Sequence, residues 1–395
     1  MSSIASAPAA HLTAEEELHW LAMRMVPGLG TRRALGLLSR FQSPVSVFRA
    51  SASDLEDSGL SASLARSIAS GCAFDDAVTQ QERLRQTGSV LIPIYDPRYP
   101  PALKHIFDPP IALYAKGRED LLQTISLAVV GTRRPSPYGL AVAEKLSSGL
   151  AAAGLTITSG LARGVDTCAH RAALDSGGNT IAVFGSGLDH IYPSENRRLA
   201  ETLQTAGLVI SEFPLGTPGY PQNFPVRNRI ISGISIGVLL VEGAQYSGSA
   251  ITARLALEQG REVFAVPGNI TQKTSWGPNL LIKQGAKLVQ DSMDVLNELA
   301  PEVRRGVSAQ RSLFGPDGGA EDDDNGDGLP VLNGPMAPVA RSVLALLTPD
   351  QPLLLDQIAD SLDGFSSSEI IAVLFELELC GQVRQLPGKR FAKVF

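Results

Sequence analysis

The sequence predicts an α/β protein whose main domain is an extended Rossmann-like sheet, doubly wound and mostly parallel. Two observations predict it. Between about residues 86 and 300, short runs that are apolar throughout alternate with runs of helical periodicity. Strands without a polar face are typical of parallel sheets that helices cover on both sides. A small helical domain is predicted before this region, and a winged helix after it.

The elements of the predicted sheet alternate strand and helix, as parallel crossover connections require. The predicted strands span residues 127–130, 155–158, 180–184, 208–211, 237–241, 262–266 and 287–289. The predicted helices between them span residues 138–153, 165–174, 195–205, 227–234 and 251–258.

Residues 1–14 are predicted to be a disordered N-terminus, and residues 15–85 a helical domain similar to SAM or helix-hairpin-helix domains. Residues 26–31 read as a tight turn because Gly28 and Gly30 follow a proline, and a helical run comes next. Backbone amides at such a turn can receive a phosphate. A small helical bundle with a glycine turn fits the same residues, so both interpretations stay open.

The C-terminal part is predicted to be an acidic flexible linker, residues 301–335, and a winged helix, residues 336–395. Residues 315–328 contain six acidic residues and no basic one, which favours disorder. Helical runs at 343–347, 355–362 and 368–379 precede a basic hairpin at 382–384 and 390–393. Ser366 or Ser367 should cap the third helix. That helix holds Glu369, Glu376 and Glu378 and no Lys or Arg, which favours a protein partner over the DNA major groove.

Composition excludes several classes of protein. No run approaches 18 apolar residues, so no membrane span is predicted, and residues 1–10 lack a signal-peptide pattern. Cys72, Cys168 and Cys380 lie far apart without a CxxC, and no histidine spacing indicates a metal, so we expect a cytoplasmic protein without a cofactor. The chain has a net charge of −6, but residues 127–291 hold 14 Lys and Arg against 11 Asp and Glu. A slightly basic middle region can still bind an anion.

The ligand site is predicted at the carboxyl ends of the parallel strands, where open α/β sheets bind their ligands. Five successive loops there offer small residues, hydrogen-bond donors or arginines, which favours an anionic ligand. The candidate binding residues are Gly131, Thr132, Arg133, Ser159, Gly160, Arg163, Gly164, Gly185, Gly187, Asn196, Arg197, Phe224, Arg227, Asn228, Arg229, Ser247, Gly248, Ser249 and Thr252.

The segment from Phe224 to Gly233 is the most informative of these loops. Arg227 and Arg229 flank an asparagine shortly after a proline that suits the first turn of a helix. Guanidinium groups bind phosphate through paired N–H donors and also stack on bases. The same arginines could instead form salt bridges that hold a loop, and Phe224 could either stack on a base or pack in the core.

Two kinds of nucleotide site are not supported. The sequence has no GxxxxGK[ST], so the phosphate loop of an ATPase is absent. Gly185 and Gly187 begin a dinucleotide fingerprint, but His190 stands at the third glycine position. The motif also follows the third predicted strand, whereas the fingerprint belongs after a first strand.

Candidate catalytic groups have competing interpretations. Asp166 and His170 stand four residues apart on a predicted helix and could pair, or Asp166 could cap that helix while His170 packs. Glu212 and Glu242 at strand ends could act as acid and base, or could orient the arginines through ion pairs.

Motifs in order along residues 91–291 resemble the DNA-processing protein A family, also called DprA or Smf. They are Gly131-Thr-Arg133, Ser159-Gly-Leu-Ala-Arg163-Gly-Val-Asp166, Gly187-Leu-Asp189-x-x-Tyr192-Pro193, Ser211-Glu212-Phe213-Pro214, Phe224-Pro-x-Arg227-Asn228-Arg229, Ser247-Gly-Ser249-x-x-Thr252-Ala253 and Val266-Pro267-Gly268.

The resemblance implies a protein that binds and protects single-stranded DNA and helps to load the RecA recombinase in natural transformation. It also implies a homodimer through the Rossmann-like domain and no catalysed reaction. By motif, Arg133 is a DNA-contacting arginine. The family often has a lysine after the Tyr-Pro pair, where this chain has Ser194, so Arg197 or Arg198 would replace it.

Two other functions fit part of the sequence. Rossmann-like enzymes that hydrolyse nucleotide N-glycosidic bonds also use a glutamate at a strand end, but residues 242–244 lack their Gly-Gly-x-Gly-Thr loop. A transcription regulator would act through the C-terminal region. The strand-binding hypothesis depends on guanidinium groups from separate loops converging on one edge of the sheet. It fails if Arg133, Arg163 and Arg229 point to different sides of the molecule with no shared cleft.

Overall fold

The computed structural model describes residues 12–314, 337–348, 352–362, 364–379, 383–386, 388 and 390–393. The chain divides into two compact units, residues 1–319 and residues 320–395. The predicted disorder of residues 1–11 and of the acidic stretch 315–328 lies outside the described residues. Within the described parts of the chain, no helix is both long enough and apolar enough to cross a bilayer.

Six helices open the larger unit. Thr13 caps the first one by accepting from the Glu16 amide, so ordered helix begins just inside the predicted disordered N-terminus. Gly28 takes a φ of 79° in the predicted turn between the first two helices. The helices are α1 Ala14–Met25, α2 Thr31–Phe41, α3 Pro44–Arg49, α4 Ala52–Glu56, α5 Ala62–Ala69 and α6 Phe74–Thr87.

These helices pack directly on the sheet. The Arg24 Nε of α1 donates to the Glu212 carbonyl, and the Gln80 side chain of α6 donates to the Leu215 carbonyl. Buried residues of both parts form one continuous hydrophobic cluster. The predicted boundary at residues 85 and 86 therefore does not separate two cores.

A nine-stranded sheet forms the centre of the larger unit, in the order β1-β2-β6-β5-β4-β3-β7-β8-β9. Strands β3 to β9 are parallel, which confirms the predicted fold class, while β1 and β2 add an antiparallel edge. The strands are β1 Val90–Pro93, β2 Ala112–Gly117, β3 Ser126–Val130, β4 Thr156–Ser159, β5 Thr180–Phe184, β6 Leu208–Ser211, β7 Gly237–Leu240, β8 Glu262–Ala265 and β9 Lys287–Leu288.

The five predicted helices that cover the sheet agree with the structure to within two residues except at two N-terminal ends, and the prediction missed the three helices Pro101–Lys104, Trp276–Lys283 and Ser292–Glu298. The helix α11 begins at Asn223 rather than 227, and α12 begins at Gly248 rather than 251. The earlier start places Phe224 in the first turn of α11. The helices are α7 Pro101–Lys104, α8 Pro137–Ala152, α9 Val165–Asp175, α10 Arg197–Ala206, α11 Asn223–Gly233, α12 Gly248–Glu258, α13 Trp276–Lys283, α14 Ser292–Glu298 and α15 Pro301–Phe314.

Helix α15 corrects the prediction that the linker starts at residue 301. Val307 is buried, and the Gln310 side chain bonds to the Ile125 amide, the Gly154 carbonyl and the Thr156 hydroxyl. The amphipathic helix is thus part of the larger unit. Its high content of charged residues reflects an exposed face and not a lack of structure.

The smaller unit is a winged helix, as predicted. Its core includes Val343, Ile358, Val373 and Phe391. Ser366 accepts from the Glu369 amide and donates to its carboxylate, which is the predicted cap of the third helix. The elements are α16 Ala337–Leu346, β10 Leu353–Leu354, α17 Leu355–Ser361, α18 Ser367–Leu379, β11 Val383–Leu386 and β12 Arg390–Lys393, with the strands in the order β10-β12-β11.

Candidate nucleic-acid interface

Loops at the carboxyl ends of neighbouring parallel strands converge on one shallow pocket. Arg133 follows β3, Arg163 follows β4, and Tyr192 lies in the connection between β5 and α10. Phe224 and Arg227 come from α11, which follows β6. The pocket is lined by Arg133, Gly160, Ala162, Arg163, Tyr192, Pro193, Phe224 and Arg227.

The Phe224 ring lies at the centre of this pocket. The guanidinium carbons of Arg133 and Arg227 are 5.7 and 5.8 Å from its centroid, and the Tyr192 ring centroid is 5.3 Å away at an interplanar angle of 37°. A Cβ atom on Gly185 would lie 2.7 Å from the Phe224 ring, so this glycine makes room for it. Phe224 therefore packs on the sheet with one part and faces the pocket with another.

Arg227 forms the floor of the pocket and is almost completely buried. Its guanidinium donates to the Gly160 carbonyl at 2.8 Å and to the carbonyl of Val183. Burial lowers the pKa of Arg227 to about 10, Asp166 opposes that effect, and the charge of Arg133 adds to it. Arg227 stays charged at neutral pH, so it fixes the loop and also makes the pocket electropositive.

Asp166 and Asn196 hold the loop that presents Arg163. The Asp166 carboxylate accepts from the Gly160 and Ala162 amides, while the Asn196 amide donates to the Leu161 carbonyl at 2.9 Å. Leu161 has a φ of 55°, which a non-glycine residue adopts at a cost, so the loop needs this bracing. Asn196 was predicted to contact the ligand, but it is buried and positions the loop.

Asp166 and His170 do not form an acid–base pair. Thr180 donates its only hydroxyl proton to the Ile157 carbonyl, so the His170 Nδ1 must be the donor to the Thr180 oxygen, at 2.7 Å. Burial lowers the pKa of His170 to about 3, with a smaller contribution from the charge of Arg227. Burial likewise raises the pKa of Asp166. Both residues are therefore structural, but the predicted cap is wrong: α9 has no side-chain cap, and the Asp166 carboxylate binds the amides of the preceding loop instead.

Arg163 lies at the rim of the pocket. Its Nε is 2.5 Å from the Glu195 carboxylate, and both side chains are more than half exposed. The ion pair raises the pKa of Arg163. Because the pair is open to water, a phosphate can compete with Glu195 for this guanidinium.

Arg229 does not join the pocket, so the expected convergence of Arg133, Arg163 and Arg229 is wrong for this residue. Two residues along an α-helix turn a side chain by about 200°, so Arg229 faces away from Arg227. Its guanidinium binds the Glu212 carboxylate at 2.8 Å and Asp108 at 2.9 Å, and Arg24 lies 4.0 Å from Glu212. The salt-bridge interpretation is therefore correct for Arg229.

The start of α12 lies beside α11 and outside the pocket lining. The Asn228 side chain donates to the Gly248 carbonyl at 3.3 Å, and Thr252 donates to the same oxygen. Ser247 caps α12 and lies 2.9 Å from the Ser249 hydroxyl. These predicted site residues therefore stabilise the start of α12 and its contact with α11. Gly248 is exposed at this position.

The remaining predicted site residues are mostly structural. Ser159 is buried and donates to the Val129 carbonyl, and the Thr132 hydroxyl accepts from the Arg134 amide. Arg197 and Arg198 are exposed on α10 but do not line the pocket. A Cβ atom on Gly131, Gly164 or Gly187 would come within 2.7 Å of Val165, the Thr132 carbonyl or the Pro214 carbonyl, respectively, so these glycines allow close packing rather than ligand approach.

Sequence reasoning missed Tyr192 as a pocket residue, although the Tyr192-Pro193 pair belongs to one of the motifs.

Glu242 was a candidate acid or arginine partner, but it accepts from the Ser136 amide and hydroxyl. Among the residues that the structure describes, no cluster of His, Cys, Asp and Glu has the arrangement of a metal site.

Comparisons with known proteins match this architecture over both units. The family model described as DNA recombination-mediator protein A matches residues 90–300, and the DprA winged helix domain matches residues 331–389. Protein Smf of Escherichia coli K12 is 44% identical over 307 residues, which are 77% of this chain and 78% of that protein. Protein Smf of Synechocystis sp. PCC 6803 is 34% identical and covers 96% of this chain and 99% of that protein.

A solved structure shows the same fold. The X-ray structure of DNA processing protein A from Streptococcus pneumoniae is 38% identical in sequence, with a TM-score of 0.64, and covers 73% of this chain and 99% of that chain. The matched family region contains every residue that lines the pocket.

Proposed function

The chain belongs to the DNA recombination-mediator protein A family, and we propose that it binds single-stranded DNA in the pocket around Phe224. One observation supports this above the others. Arg133 and Arg227 lie within 6 Å of the Phe224 ring centroid at the carboxyl edge of the sheet, and Arg163, from another loop, lines the same pocket.

This arrangement suits an unpaired strand for physical reasons. A single strand offers phosphates for cations and open base faces for aromatic rings and guanidinium planes. Arg133 and Arg163 are exposed and can meet phosphates, while Tyr192 is 48% exposed beside Phe224 and can meet a base. Paired bases would hide the faces that Tyr192 and Phe224 need, which favours single strands over duplex.

Nucleotide hydrolysis is less well supported. The described pocket lining contains three arginines and no carboxylate. Glu212 is bound by Arg229, and Glu242 is bound by Ser136, so both strand-end glutamates are occupied with structural contacts. We therefore propose binding without a catalysed reaction.

We further propose that the bound strand is protected and passed to the RecA recombinase, and that the protein acts as a homodimer in the cytoplasm. Strand β9 ends the sheet with two exposed residues, Lys287 and Leu288. An open sheet edge with an exposed apolar side chain suits pairing with a second copy. Light scattering tests the dimer. RecA filament formation on DNA that is already covered by a single-strand binding protein tests loading, and the lag should shorten when this protein is added.

The decisive experiment is a salt-titrated binding assay with single-stranded and duplex DNA. We expect single strands to bind more tightly, and Arg133→Ala to weaken binding to all sequences. The slope of log affinity against log salt should become less steep by about 0.7, the value of one lost phosphate contact. Arg171→Ala, an exposed arginine on α9, is the matched control.

Three outcomes would contradict the proposal. An Arg133→Ala protein with the wild-type slope would remove this residue from the interface. Loss of DNA binding on deletion of residues 336–395 would instead favour a regulator that binds through the winged helix. Release of free base from nucleoside monophosphates would favour the hydrolase.

A further inference from the structure

We propose that a longer DNA strand leaves the pocket across a second surface, formed by Arg32 and Arg33 of α2 together with Lys104 and Phe107. We call these four residues the Arg32 surface. This inference rests on the proposed function, because it concerns the same ligand at a second place on the same edge of the sheet.

Phe107 provides the planar element of the Arg32 surface. The guanidinium carbon of Arg32 lies 4.6 Å from the Phe107 ring centroid, yet Phe107 remains 77% exposed. An exposed phenylalanine that an arginine already orders offers a base a preformed stacking partner. Most of the ring stays open to water, so a base can reach it.

The charge around this ring is positive. Arg33 and Lys104 are exposed, and the first turn of α2 holds no acidic residue. The nearest carboxylates of this region are already paired, since Asp108 binds Arg229 and Glu212 binds Arg229 and lies close to Arg24. Arg33 donates to the Gly28 carbonyl at 3.4 Å and the Lys104 ammonium lies 5.9 Å from the Tyr99 ring centroid. These contacts are to uncharged groups, so they do not neutralise the cations.

The Arg32 surface lies on the same edge of the sheet as the pocket. Strand β2 runs antiparallel to β6, with Tyr114 opposite Ser211, so the residues before β2 extend beyond the carboxyl end of β6. Phe107 is one of them. The adjacent residue, Asp108, binds Arg229 on the side of α11 that faces away from Arg227, so the Arg32 surface and the pocket lie on two sides of the helix whose first turn holds Phe224. Arg24, at the end of α1, donates to the Glu212 carbonyl at this edge. The next helix, α2, begins seven residues later, so its start lies near the same edge.

Single-stranded DNA is the occupant that these features fit. A polyanion matches the three cations, and only a ligand with planar groups makes use of the exposed ring. Continuity with the pocket supports the same conclusion, because one strand could meet Phe224 and Phe107 along one edge. An acidic protein segment would match the charge but not the ring.

Oligothymidylates of graded length, from about 4 to about 30 nucleotides, test the inference, since single-strand sites span about 4–16 nucleotides. Short oligomers should bind the pocket alone. Phe107→Ala and Arg32→Ala should leave the affinity for short oligomers unchanged and weaken the affinity for long oligomers about tenfold. A tenfold loss is the size expected when one base loses its stacking partner. Arg32→Ala should also make the salt slope for long oligomers less steep by about 0.7. Arg66→Ala, an exposed arginine of α5, is the control.

The two proposals fail in different ways. If Phe107→Ala and Arg32→Ala bind long oligomers like the wild type while Arg133→Ala loses both lengths, the Arg32 surface is overturned and the pocket stands. If Arg133→Ala binds both lengths normally, the proposed function itself is wrong. Phe107→Trp gives a second measurement, because its fluorescence should be quenched by long oligomers and not by short ones.

Discussion

The Arg163 guanidinium and the Glu195 carboxylate form an ion pair at the rim of the pocket, with 2.5 Å between Nε and Oε2. The two side chains are 56% and 62% exposed, so solvent and salt screen their attraction. A bound phosphate must displace Glu195 from Arg163 or bind beside a negative charge. Glu195 thus limits how strongly this chain can hold a strand.

Glu195→Gln should therefore tighten binding to single-stranded DNA, by roughly two- to fivefold at low salt. The gain should shrink as salt is added, because it is electrostatic. Glu201→Gln removes a carboxylate from the exposed face of α10 and is the matched control. Equal effects of the two substitutions would mean that only net charge matters. Fluorescence anisotropy with a labelled oligomer measures both.

Asn196→Ala should weaken DNA binding without changing its salt dependence. The substitution leaves the Leu161 carbonyl without its donor, which should cost about 1–3 kcal/mol of stability and loosen the loop that presents Arg163. No phosphate contact is lost, so the slope of log affinity against log salt stays at the wild-type value. A slope that changes as it does in Arg133→Ala would show that Asn196 touches the strand after all.

Ser194→Lys should strengthen binding. Ser194 is exposed directly after Pro193, which lines the pocket, and neither Arg197 nor Arg198 lines it. A lysine at residue 194 would add one cation next to the pocket and steepen the salt slope by about 0.7. A lysine at Thr202, on the solvent side of α10, should do much less. If both lysines act alike, the added contact is not specific to the pocket.

His170 should make the larger unit less stable in acid. Its folded pKa of about 3 lies below the ordinary 6.5, so between these values only the unfolded chain takes up the proton. The free energy of unfolding should then fall by about 1.4 kcal/mol for each pH unit below 6.5, and the loss should level off below pH 3. His170→Gln should flatten this dependence by about 2 kcal/mol between pH 7 and pH 5. Urea unfolding at pH 7 and at pH 5 measures the change.

Gln310→Ala should destabilise the larger unit by about 1–3 kcal/mol, because the substitution leaves the partly buried Ile125 amide and Gly154 carbonyl without their partner. Ser308→Ala on the exposed face of the same helix should change stability by less than about 0.5 kcal/mol. Thermal unfolding of both variants decides whether α15 belongs to the folded unit. Equal melting temperatures for the two would mean that it does not.

The parallel sheet could be predicted because its strands are apolar on both faces, and that pattern needs no knowledge of distant contacts. The antiparallel edge could not. Strand β2 is as apolar as the others, but its local sequence does not determine its direction or its partner. The pairing of Tyr114 with Ser211 of β6 is a contact between residues far apart in the sequence. Pro225 lies in the first turn of α11, as predicted, but the helix was expected to begin at residue 227 and begins at Asn223. The start was missed because Gln222, which precedes the helix, makes no side-chain cap, so the sequence has no start signal there.

Residue type predicted the chemistry of the site better than it predicted the role of each residue. Arg133, Arg163 and Arg227 meet in the pocket as the loop positions indicated. Arg229 belongs to the same motif but faces Glu212, because its direction depends on the helical phase and on an acidic partner 17 residues away. Asn196 looks like a surface donor in the sequence, and only the folded chain shows that it braces a strained turn.

The ion-pair network of Arg24, Glu212 and Arg229 has a consequence for experiments with shortened chains. A protein that starts after residue 85 would lose Arg24 and the donors to the Leu215 carbonyl together. Weak DNA binding by such a fragment would therefore have two possible causes: the loss of a surface that contacts DNA, or the loss of the contacts that order the loops at the carboxyl edge of the sheet. Point substitutions in the intact chain separate these causes, and a truncation series cannot.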